Sequence, residues 1–454
     1  MNDAKVSRFE VLARDYVLDR CEAQARPMYH GGIYYEWDGR RYREVADLDM
    51  SVRTWLRTKG QAQDNRTLAN VLPIVKNLGF SPAMADTSLP AWQPHDALPD
   101  PLPDPRNVVA FRNGLLDISD TDRGLIPHTP LWLSTSCLPF NYEPVAVCPR
   151  WLDFLAEVYE GDAGRVGLLQ EWSGYLMSQD TGQQKMFLMI GLPRSGKGTI
   201  HRVLSDLVGD GATGYRLPLL ASQFGLSPLL AKTAAFVPEV ELSGRSDKAE
   251  ISETLKAIVG EDAMCVNRKG LPLLTAKLGV RFTIAANTIP TLWDSSSALG
   301  QRMLVVEHRK SFLGREDTTL GDRLRNELPG IAAWALEGLK RLKGRGRFPS
   351  GCDPELTRRL ALQSSPVQVF VSDRLAVSKW ADPGLPGLSL TDDDVEVRRD
   401  RLYEAYQLWA TDHDADTSNP TWFARDLRSV LPGVKDGWMN GKRAYRGIEL
   451  RAAG

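Results

Sequence analysis

The fold is decided by the stretch MFLMIGLPRSGKGT, residues Met186–Thr199. Its first five residues are apolar, as in a buried strand, and Gly191 and Gly196 then enclose four variable positions before Lys197. A strand that enters a glycine-rich turn and continues into a helix, here residues 200–207, presents backbone N–H groups to phosphate oxygens. We therefore predict a nucleoside triphosphate site rather than a chance glycine turn. The expected binding residues are Gly191, Pro193, Arg194, Ser195, Gly196, Lys197, Gly198 and Thr199.

This loop departs from the common phosphate-binding pattern at one position. Gly198 stands where a Ser or Thr usually ligates magnesium, so the hydroxyl of Thr199 is displaced by one residue. The GKGT form also resembles the loop of nucleoside monophosphate kinases, and the loop alone does not separate a small-molecule kinase from a motor ATPase. The sequence shows no arginine-rich lid after the loop, which disfavours the kinase.

Composition narrows the class of protein. The chain has 454 residues, enough for two to four domains, and its 56 Lys and Arg against 57 Asp and Glu give a formal net charge of −1. Any contact with nucleic acid must therefore be local. Five cysteines without a CxxC pair favour a reducing compartment and disfavour a structural zinc site. Without an apolar run of membrane length or a signal peptide, we expect a cytoplasmic protein that does not contact membranes.

Hydrophobic periodicity and proline content divide the chain into six regions. Prolines recur between residues 82 and 106, two helical patterns precede the glycine-rich loop, and strands alternate with helices after it. A pattern of two helices and a basic hairpin near the C-terminus is typical of a winged helix. The predicted regions are a small α+β region (1–81), a Pro-rich linker (82–106), a helical collar or oligomerisation region (107–180), an α/β nucleotide-binding core (181–345), a connecting region (346–394) and a winged helix (395–454).

Three polar positions after the loop could complete a phosphoryl-transfer site. Glu239, with Glu241 as the second choice, follows an apolar strand, where a carboxylate would hold the metal and the attacking water. Asn287 ends the strand Val280–Ala286 and could orient water against the γ-phosphate. Arg302 could reach the γ-phosphate of a neighbouring subunit. The alternatives are a solvated acidic turn, a turn-forming Asn and a structural salt bridge.

Two basic elements are candidates for contact with DNA. Residues 260–270 predict a hairpin that presents Arg268 and Lys269 at its tip, where a ring of subunits could grip a phosphate backbone. Between residues 421 and 451 the chain carries seven basic and three acidic residues, a local excess of +4. The alternative is the solvated face of an oligomerisation domain. The expected contacts in this segment are Arg425, Arg428, Lys442, Arg443 and Arg446.

The order of these motifs resembles the superfamily 3 replicative helicases, and most closely the primase-associated helicases of phages, satellite elements and plasmids. The resemblance extends over about residues 105–454. It is carried by Lys197, Glu239, Gly260-Glu261-Asp262, Asn287-Thr288-Ile289-Pro290 and Arg302, and by the phrases RSGKGTI, NRKGLP, AANTIP, SFLGRED and ELPGIAAWALEGL.

The resemblance implies a homohexameric ring of AAA-like P-loop cores in a bacterial host, which hydrolyses ATP with Mg²⁺ and translocates on single-stranded DNA. It implies that Thr199 and Glu239 hold the metal, Asn287 senses the γ-phosphate, Arg302 acts in trans and Lys269 contacts DNA. Origin or forked duplex DNA and a separate primase are the other implied partners. Gly198 and Pro238 depart from the family pattern, and they leave open the magnesium ligand and the choice between Glu239 and Glu241.

Two further alternatives remain open at the level of sequence. The first is an ATP-switched replication initiator that binds origin duplex without processive unwinding. The basic C-terminal segment is the observation that favours it. The second is a primase site at Asp47 and Asp49, which have the spacing of a two-metal polymerase. We expect an ordinary strand edge at that position, because no third acid or histidine follows at a suitable place.

Overall fold

The computed structural model describes residues 7–21, 25–80, 89–93, 95, 101–240, 247–288, 298–349, 366–384, 388–413, 415, 417 and 419–451. The N-terminal region packs three helices against a small antiparallel sheet of order β1-β2-β3. β2 and β3 form a hairpin, as the pairing of Trp37 with Tyr42 shows. Its elements are α1 (Arg8–Arg20), β1 (Met28–His30), β2 (Ile33–Trp37), β3 (Tyr42–Glu44), α2 (Leu48–Thr58) and α3 (Asn65–Gly79).

The strand edge expected at Asp47 and Asp49 is wrong. Asp47 is the N-cap of α2, where its carboxylate accepts a hydrogen bond from the Met50 amide at 2.8 Å, and Asp49 lies in the first helical turn. Both carboxylates thus serve a helix N-terminus, where negative charge is stabilising. Their DxD spacing therefore has a local structural explanation.

Residues 107–180, expected to form a helical collar or oligomerisation region, are less helical than expected. Only their second half is helical, as α4 (Pro149–Tyr159) and α5 (Ala163–Met177), because the apolar residues on either side of the Asn113-Gly114 turn favour strands instead. Part of the Pro-rich segment is also packed, since Ala91–Trp92 pairs with Trp132–Leu133. The strands are β4 (Ala91–Trp92), β5 (Val108–Phe111), β6 (Gly114–Asp117), β7 (Leu125–Ile126) and β8 (Trp132–Leu133).

A five-stranded parallel sheet of order β10-β11-β14-β9-β15 forms the centre of the molecule. Beside it, β12 and β13 form an antiparallel hairpin. The elements of this α/β core are β9 (Met186–Gly191), α6 (Lys197–Val208), β10 (Ala212–Gly214), β11 (Ala234–Val237), α7 (Lys248–Val259), β12 (Ala263–Arg268), β13 (Leu271–Lys277), β14 (Arg281–Ala286), α8 (Ala298–Gln301), β15 (Met303–His308), α9 (Leu320–Asn326) and α10 (Leu328–Arg345).

Both faces of the parallel sheet are covered. Alternate residues of β9 divide between two apolar clusters: Phe187 and Met189 pack with α4, α5, α6 and α10, whereas Leu188 and Ile190 pack on the side of α7. Burial on both faces explains why the strands read as continuous apolar runs rather than alternating ones. The polar side chains that follow these strands are thereby forced to the edges of the sheet.

The helices α5 and α10 cross closely because α5 has a glycine, Gly174, where they meet. A Cβ atom at Gly174 would lie 2.3 Å from the Ala335 carbonyl oxygen, whereas one at Gly167, in the same helix, would meet only the end of the Arg341 side chain at 3.7 Å. We expect Gly174→Ala to lower the free energy of unfolding by about 3 kcal/mol because backbone must move. The matched control Gly167→Ala should change it by about 1 kcal/mol or less, in the stabilising direction. Denaturant unfolding of both variants measures this, and equal effects would contradict the close-contact explanation.

The C-terminal unit has a core of aromatic side chains in stacked and edge-to-face contact, which includes Phe370, Tyr406, Trp409 and Phe423. It begins before the expected boundary at residue 395, because β16 pairs with β21 and α11 packs into the same core. Its elements are α11 (Pro366–Arg374), β16 (Leu375–Ser378), β17 (Ser389–Thr391), β18 (Glu396–Arg398), α12 (Arg399–Asp412), α13 (Pro420–Val430), β19 (Lys435–Met439), β20 (Lys442–Arg446) and β21 (Ile448–Leu450).

Candidate nucleotide site

The C-terminal edge of the parallel sheet brings together residues that are distant in sequence. Gly191 at the end of β9 pairs with His308 at the end of β15, and Ala286 at the end of β14 pairs with Ile190. The glycine-rich loop follows β9, Asn287 follows β14 and Glu239 follows the neighbouring strand β11, and all three line one cleft of about 620 Å³. In open α/β sheets, ligands bind at this edge.

Two glycines permit the path of the loop. A Cβ atom at Gly191 would lie 2.1 Å from the His308 carbonyl oxygen, so only glycine allows β9 and β15 to approach this closely. Gly196 has φ 87°, a left-handed conformation that glycine adopts without steric cost, and it directly precedes the first residue of α6. Arg194 also has a positive φ of 58°. The loop is therefore a tightly specified turn.

The end of β15, together with the segment that follows it, holds one side of this loop. Three successive loop carbonyl oxygens accept hydrogen bonds from it: that of Pro193 from the Ser311 hydroxyl at 2.9 Å, and that of Arg194 from the Phe312 amide at 2.8 Å. The third, of Ser195, accepts from His308 Nδ1 at 3.1 Å. Because these carbonyl groups are bound on one side, the loop is held in shape before any ligand arrives.

Lys197 lies at the start of α6 with its ammonium group turned into the loop. Its Nζ donates to the carbonyl oxygens of Gly191 at 2.5 Å and Leu192 at 2.7 Å, and to Ser195 Oγ at 3.3 Å. Burial lowers the pKa of Lys197, and the negative charge of Glu239 opposes this shift. The ammonium group is thus a partly desolvated cation, which interacts more strongly with an anion than a cation in water does.

Glu239 and Asn287 contact each other across the cleft. The Asn287 Nδ2 group donates to Glu239 Oε1 at 3.1 Å, and both side chains are exposed. Glu241, the second choice from sequence, lies outside the described residues. Among the described residues, Glu239 is the expected catalytic acid that lines the same cleft as Lys197 and Asn287.

The two expected magnesium ligands lie on the same cleft. Thr199 is half-buried in the first turn of α6, and its Oγ1 accepts from Arg202 at 3.3 Å. In the described part of the chain no three His, Cys, Asp or Glu side chains form a cation site by themselves. Thr199 and Glu239 fit a Mg²⁺ ion that takes most of its ligands from phosphates and water, which is the usual arrangement for this ion.

The sequence reasoning missed several charged residues of this cleft. One of them lies on α6, directly after the loop, and the others come from α4 and from the segment before α9, which folding brings to the loop although they are far from it in sequence. No local sequence motif indicates that these residues belong to the site, apart from SFLGRED, which contains the last three of them. The additional charged lining residues are Arg150, Glu157, Arg202, Arg315, Glu316 and Asp317.

Arg302 lies at the opposite edge of the sheet. Its carbonyl oxygen accepts from the Met186 amide at 2.8 Å, at the start of β9, whereas the loop follows the end of that strand. Five residues of strand separate the two edges by about 17 Å. The guanidinium group donates to the Lys256 carbonyl oxygen on α7. Arg302 therefore does not serve the cleft of its own chain.

The hairpin β12–β13 presents only one of its two expected basic residues. Lys269 is exposed at the tip, but Arg268 is only 8% exposed. The Arg268 guanidinium donates to the carbonyl oxygens of Gly32, in the N-terminal sheet, and Pro272, at 3.2 and 3.1 Å. The expectation that Arg268 points outward is wrong, because strand alternation turns it toward the N-terminal region.

Acidic partners neutralise much of the basic C-terminal segment. Arg425 pairs with Asp426, and Arg428 pairs with Asp436. Lys442 and Arg446 pair with Asp400 and Asp394, which lie outside the window in which the sequence excess was counted. Arg443 is exposed and forms no ion pair within the described residues. The segment therefore offers a smaller positive surface than its composition indicates.

His308 is buried behind the loop between the Ser195 carbonyl oxygen and the Tyr159 hydroxyl. A carbonyl oxygen only accepts, so Nδ1 carries the proton and Nε2 accepts from Tyr159. Burial lowers the pKa of His308 to about 4. An unfolded histidine titrates near 6.5, so stability from the neutral ring is present above that pH and is lost as the pH falls toward 4.

We expect His308→Asn, which keeps an N–H donor for Ser195, to flatten the dependence of stability on pH. Between pH 7 and pH 5 the wild-type protein should lose about 2 kcal/mol more than the variant. His201 has a pKa that burial also lowers, and it remains in both proteins together with the carboxylates, so the difference isolates His308. Denaturant unfolding at the two pH values measures this, and parallel losses would contradict it.

Two family models match separate parts of the chain. Residues 14–160 match a model described as "D5 N terminal like", and residues 189–302 match a model described as a family of unknown function (DUF5906). No curated protein matches the chain by sequence. No helix in the described residues is long and apolar enough to cross a membrane.

Solved structures share the fold over nearly the whole chain. The apo structure of the NrS-1 C-terminal region (305–718) aligns with a TM-score of 0.54 at 14% identity, covering 97% of this chain and 99% of that one. The A form apo structure of the NrS-1 C-terminal region gives a TM-score of 0.51 at 15% identity, covering 96% and 98%. The D5-type match is to a region associated with primases and helicases, and it supports a protein of phage DNA replication.

Proposed function

We propose that the chain is an ATP-dependent replicative DNA helicase of a phage, satellite element or plasmid, built on an AAA-like P-loop core of superfamily 3. The observation that carries the proposal is the meeting of Lys197, Glu239 and Asn287 at one edge of the sheet, after three different strands. A carboxylate, an amide and a lysine beside a glycine-rich loop are the groups that nucleotide hydrolysis requires.

Each group has a separate task in this proposal. Lys197 exchanges its loop carbonyl partners for phosphate oxygens, and the loop amides cradle the phosphates. Glu239 orients the attacking water and takes up its proton, while the hydrogen bond from Asn287 sets the position of this carboxylate. A Mg²⁺ ion held by Thr199, Glu239 and the phosphates would neutralise the charge that develops on the transferred group.

The position of Arg302 supports a ring in which neighbouring subunits complete each site. Its guanidinium is at the edge of the sheet away from the cleft, so a head-to-tail neighbour could bring it to the phosphates. Such an arrangement fits a homohexamer, with the exposed Lys269 tips directed at single-stranded DNA. A separate primase remains a proposed partner.

Strand separation on a forked DNA substrate tests the proposal. We expect the wild-type protein to separate the strands with ATP and magnesium, and to leave them paired without ATP.

The exposed arginines of the C-terminal unit favour a second candidate, an ATP-switched initiator that binds origin duplex. ATP-dependent assembly on duplex DNA without strand separation would support the initiator and contradict the helicase.

A further inference from the structure

Three tryptophans are exposed on the described part of the C-terminal unit, and two of them lie near the junction of α13 with the hairpin β19–β20. Trp438, on the edge strand β19, is 68% exposed, and Trp422, in the first turn of α13, is 46% exposed. Their neighbours in sequence, such as Phe423 and Leu427, are buried in the core of the unit. Neither tryptophan is needed to fill that core, so their exposure calls for another explanation.

Trp422 and Trp438 each lie beside an arginine. The guanidinium carbon of Arg425 lies 3.7 Å from the centre of the Trp422 ring. Trp438 is directly opposite Arg443 in the pairing of β19 with β20. Side chains that are directly opposite in an antiparallel pair lie on the same face of the sheet. The unit thus carries two aromatic–arginine pairs, one on a helix and one on a hairpin.

The ion pair between Arg428 and Asp436, 2.8 Å long, joins that helix to that hairpin. Arg425 lies one turn before Arg428 on α13, so the first aromatic pair borders this junction. Trp438 lies two residues after Asp436, and alternation along a strand places both side chains on the same face. The second aromatic pair therefore borders the same junction.

We propose that Trp422, Arg425, Trp438 and Arg443 form a binding surface for single-stranded nucleic acid. Unpaired bases stack on the two indole rings, and the Arg443 guanidinium contacts the phosphates between them. Arg425, which also pairs with Asp426, lies against the Trp422 ring and holds it in place. In a duplex the faces of the bases are stacked on one another, and a protein recognises the bases through hydrogen-bond donors and acceptors at their edges in a groove. Exposed indole rings therefore favour a single strand. The inference deepens the proposed function and rests on it for the biological role of the surface.

Binding of fluorescently labelled dT20 and of a duplex of equal length to the full chain tests this surface. The variants are Trp422→Ala, Trp438→Ala and Trp438→Phe, each also made with Lys269→Ala to remove the contribution of the other hairpin. Trp380→Ala is the matched control: Trp380 is 45% exposed on the same unit, but it lies under Lys435, whose side chain is on the opposite face of β19 from Trp438.

We expect Trp422→Ala and Trp438→Ala each to weaken dT20 binding by at least about fivefold, since stacking on an aromatic side chain is worth that much or more. Trp438→Phe should retain most of the affinity, and Trp380→Ala should retain nearly all of it. Circular dichroism of each variant checks that the unit is folded.

Three outcomes would overturn the inference: unchanged dT20 binding, an equal loss in Trp380→Ala, or an equal loss of duplex binding, which would indicate a duplex site. A failure of this inference can be distinguished from a failure of the proposed function. Absence of ATP hydrolysis and strand separation in the wild-type protein would refute the motor, whereas a selective loss of dT20 binding in Trp438→Ala would still establish the surface.

Discussion

Replacement of Lys197 by alanine is expected to lower the rate of ATP hydrolysis by about a hundredfold or more. The ammonium group is the cation that three loop oxygens position at the cleft, and it is partly desolvated there. Removal of one such preorganised group typically costs about 10² to 10³ in rate. Phosphate release at saturating ATP and magnesium, with and without single-stranded DNA, measures the effect.

Lys185→Ala is the matched control for this variant. Lys185 directly precedes β9, as Lys197 follows it, and its Nζ also donates to a backbone carbonyl oxygen, that of Gln301, at 2.5 Å. Burial lowers the pKa of this lysine as well. It lies at the sheet edge away from the cleft, so its loss should leave hydrolysis within about twofold of wild type. Comparable losses in the two variants would show that Lys197 acts through stability rather than at the phosphates.

Replacement of Arg302 by alanine is expected to lower hydrolysis by about 10³-fold, the usual contribution of an arginine that acts in trans. The reason is its position: in its own chain Arg302 is about 17 Å of strand away from the loop, and in the proposed ring it acts at the neighbour's site. Arg302→Gln should be similarly inactive, although it keeps an N–H donor for the Lys256 carbonyl oxygen. Phosphate release by the homogeneous variants measures both losses.

Mixing two inactive variants separates action in trans from a structural role. In rings formed from equal amounts of Lys197→Ala and Arg302→Ala subunits, about a quarter of the interfaces would combine an intact loop with an intact arginine. We therefore expect a mixture of the two to recover a fraction of wild-type hydrolysis that neither has alone. No recovery, in a mixture shown to assemble, would exclude Arg302 as a group that completes the neighbour's site.

Local patterns were sufficient to predict the elements around the cleft. The strand, turn and helix of residues 186–208, the hairpin of β12 and β13, and Asn287 at the end of β14 all appear where the sequence indicates them. Each is encoded within about two dozen residues, by apolar runs in the strands of the parallel sheet and by glycines at tight turns. Glu239 and Asn287 could be placed at one edge because parallel strands end on the same side of a sheet.

Long-range contacts decided the rest, since no local pattern records which distant side chains meet. The sequence by itself determined the α/β core, the glycine-rich loop and the order of the candidate site residues. Only the tertiary structure decided that Arg268 is buried against the N-terminal sheet, that His308 supports the loop from behind, and that Asp394 and Asp400 neutralise C-terminal cations. The physical reason is that burial and ion pairing depend on distance in space, whereas strand and turn preferences depend on neighbours along the chain.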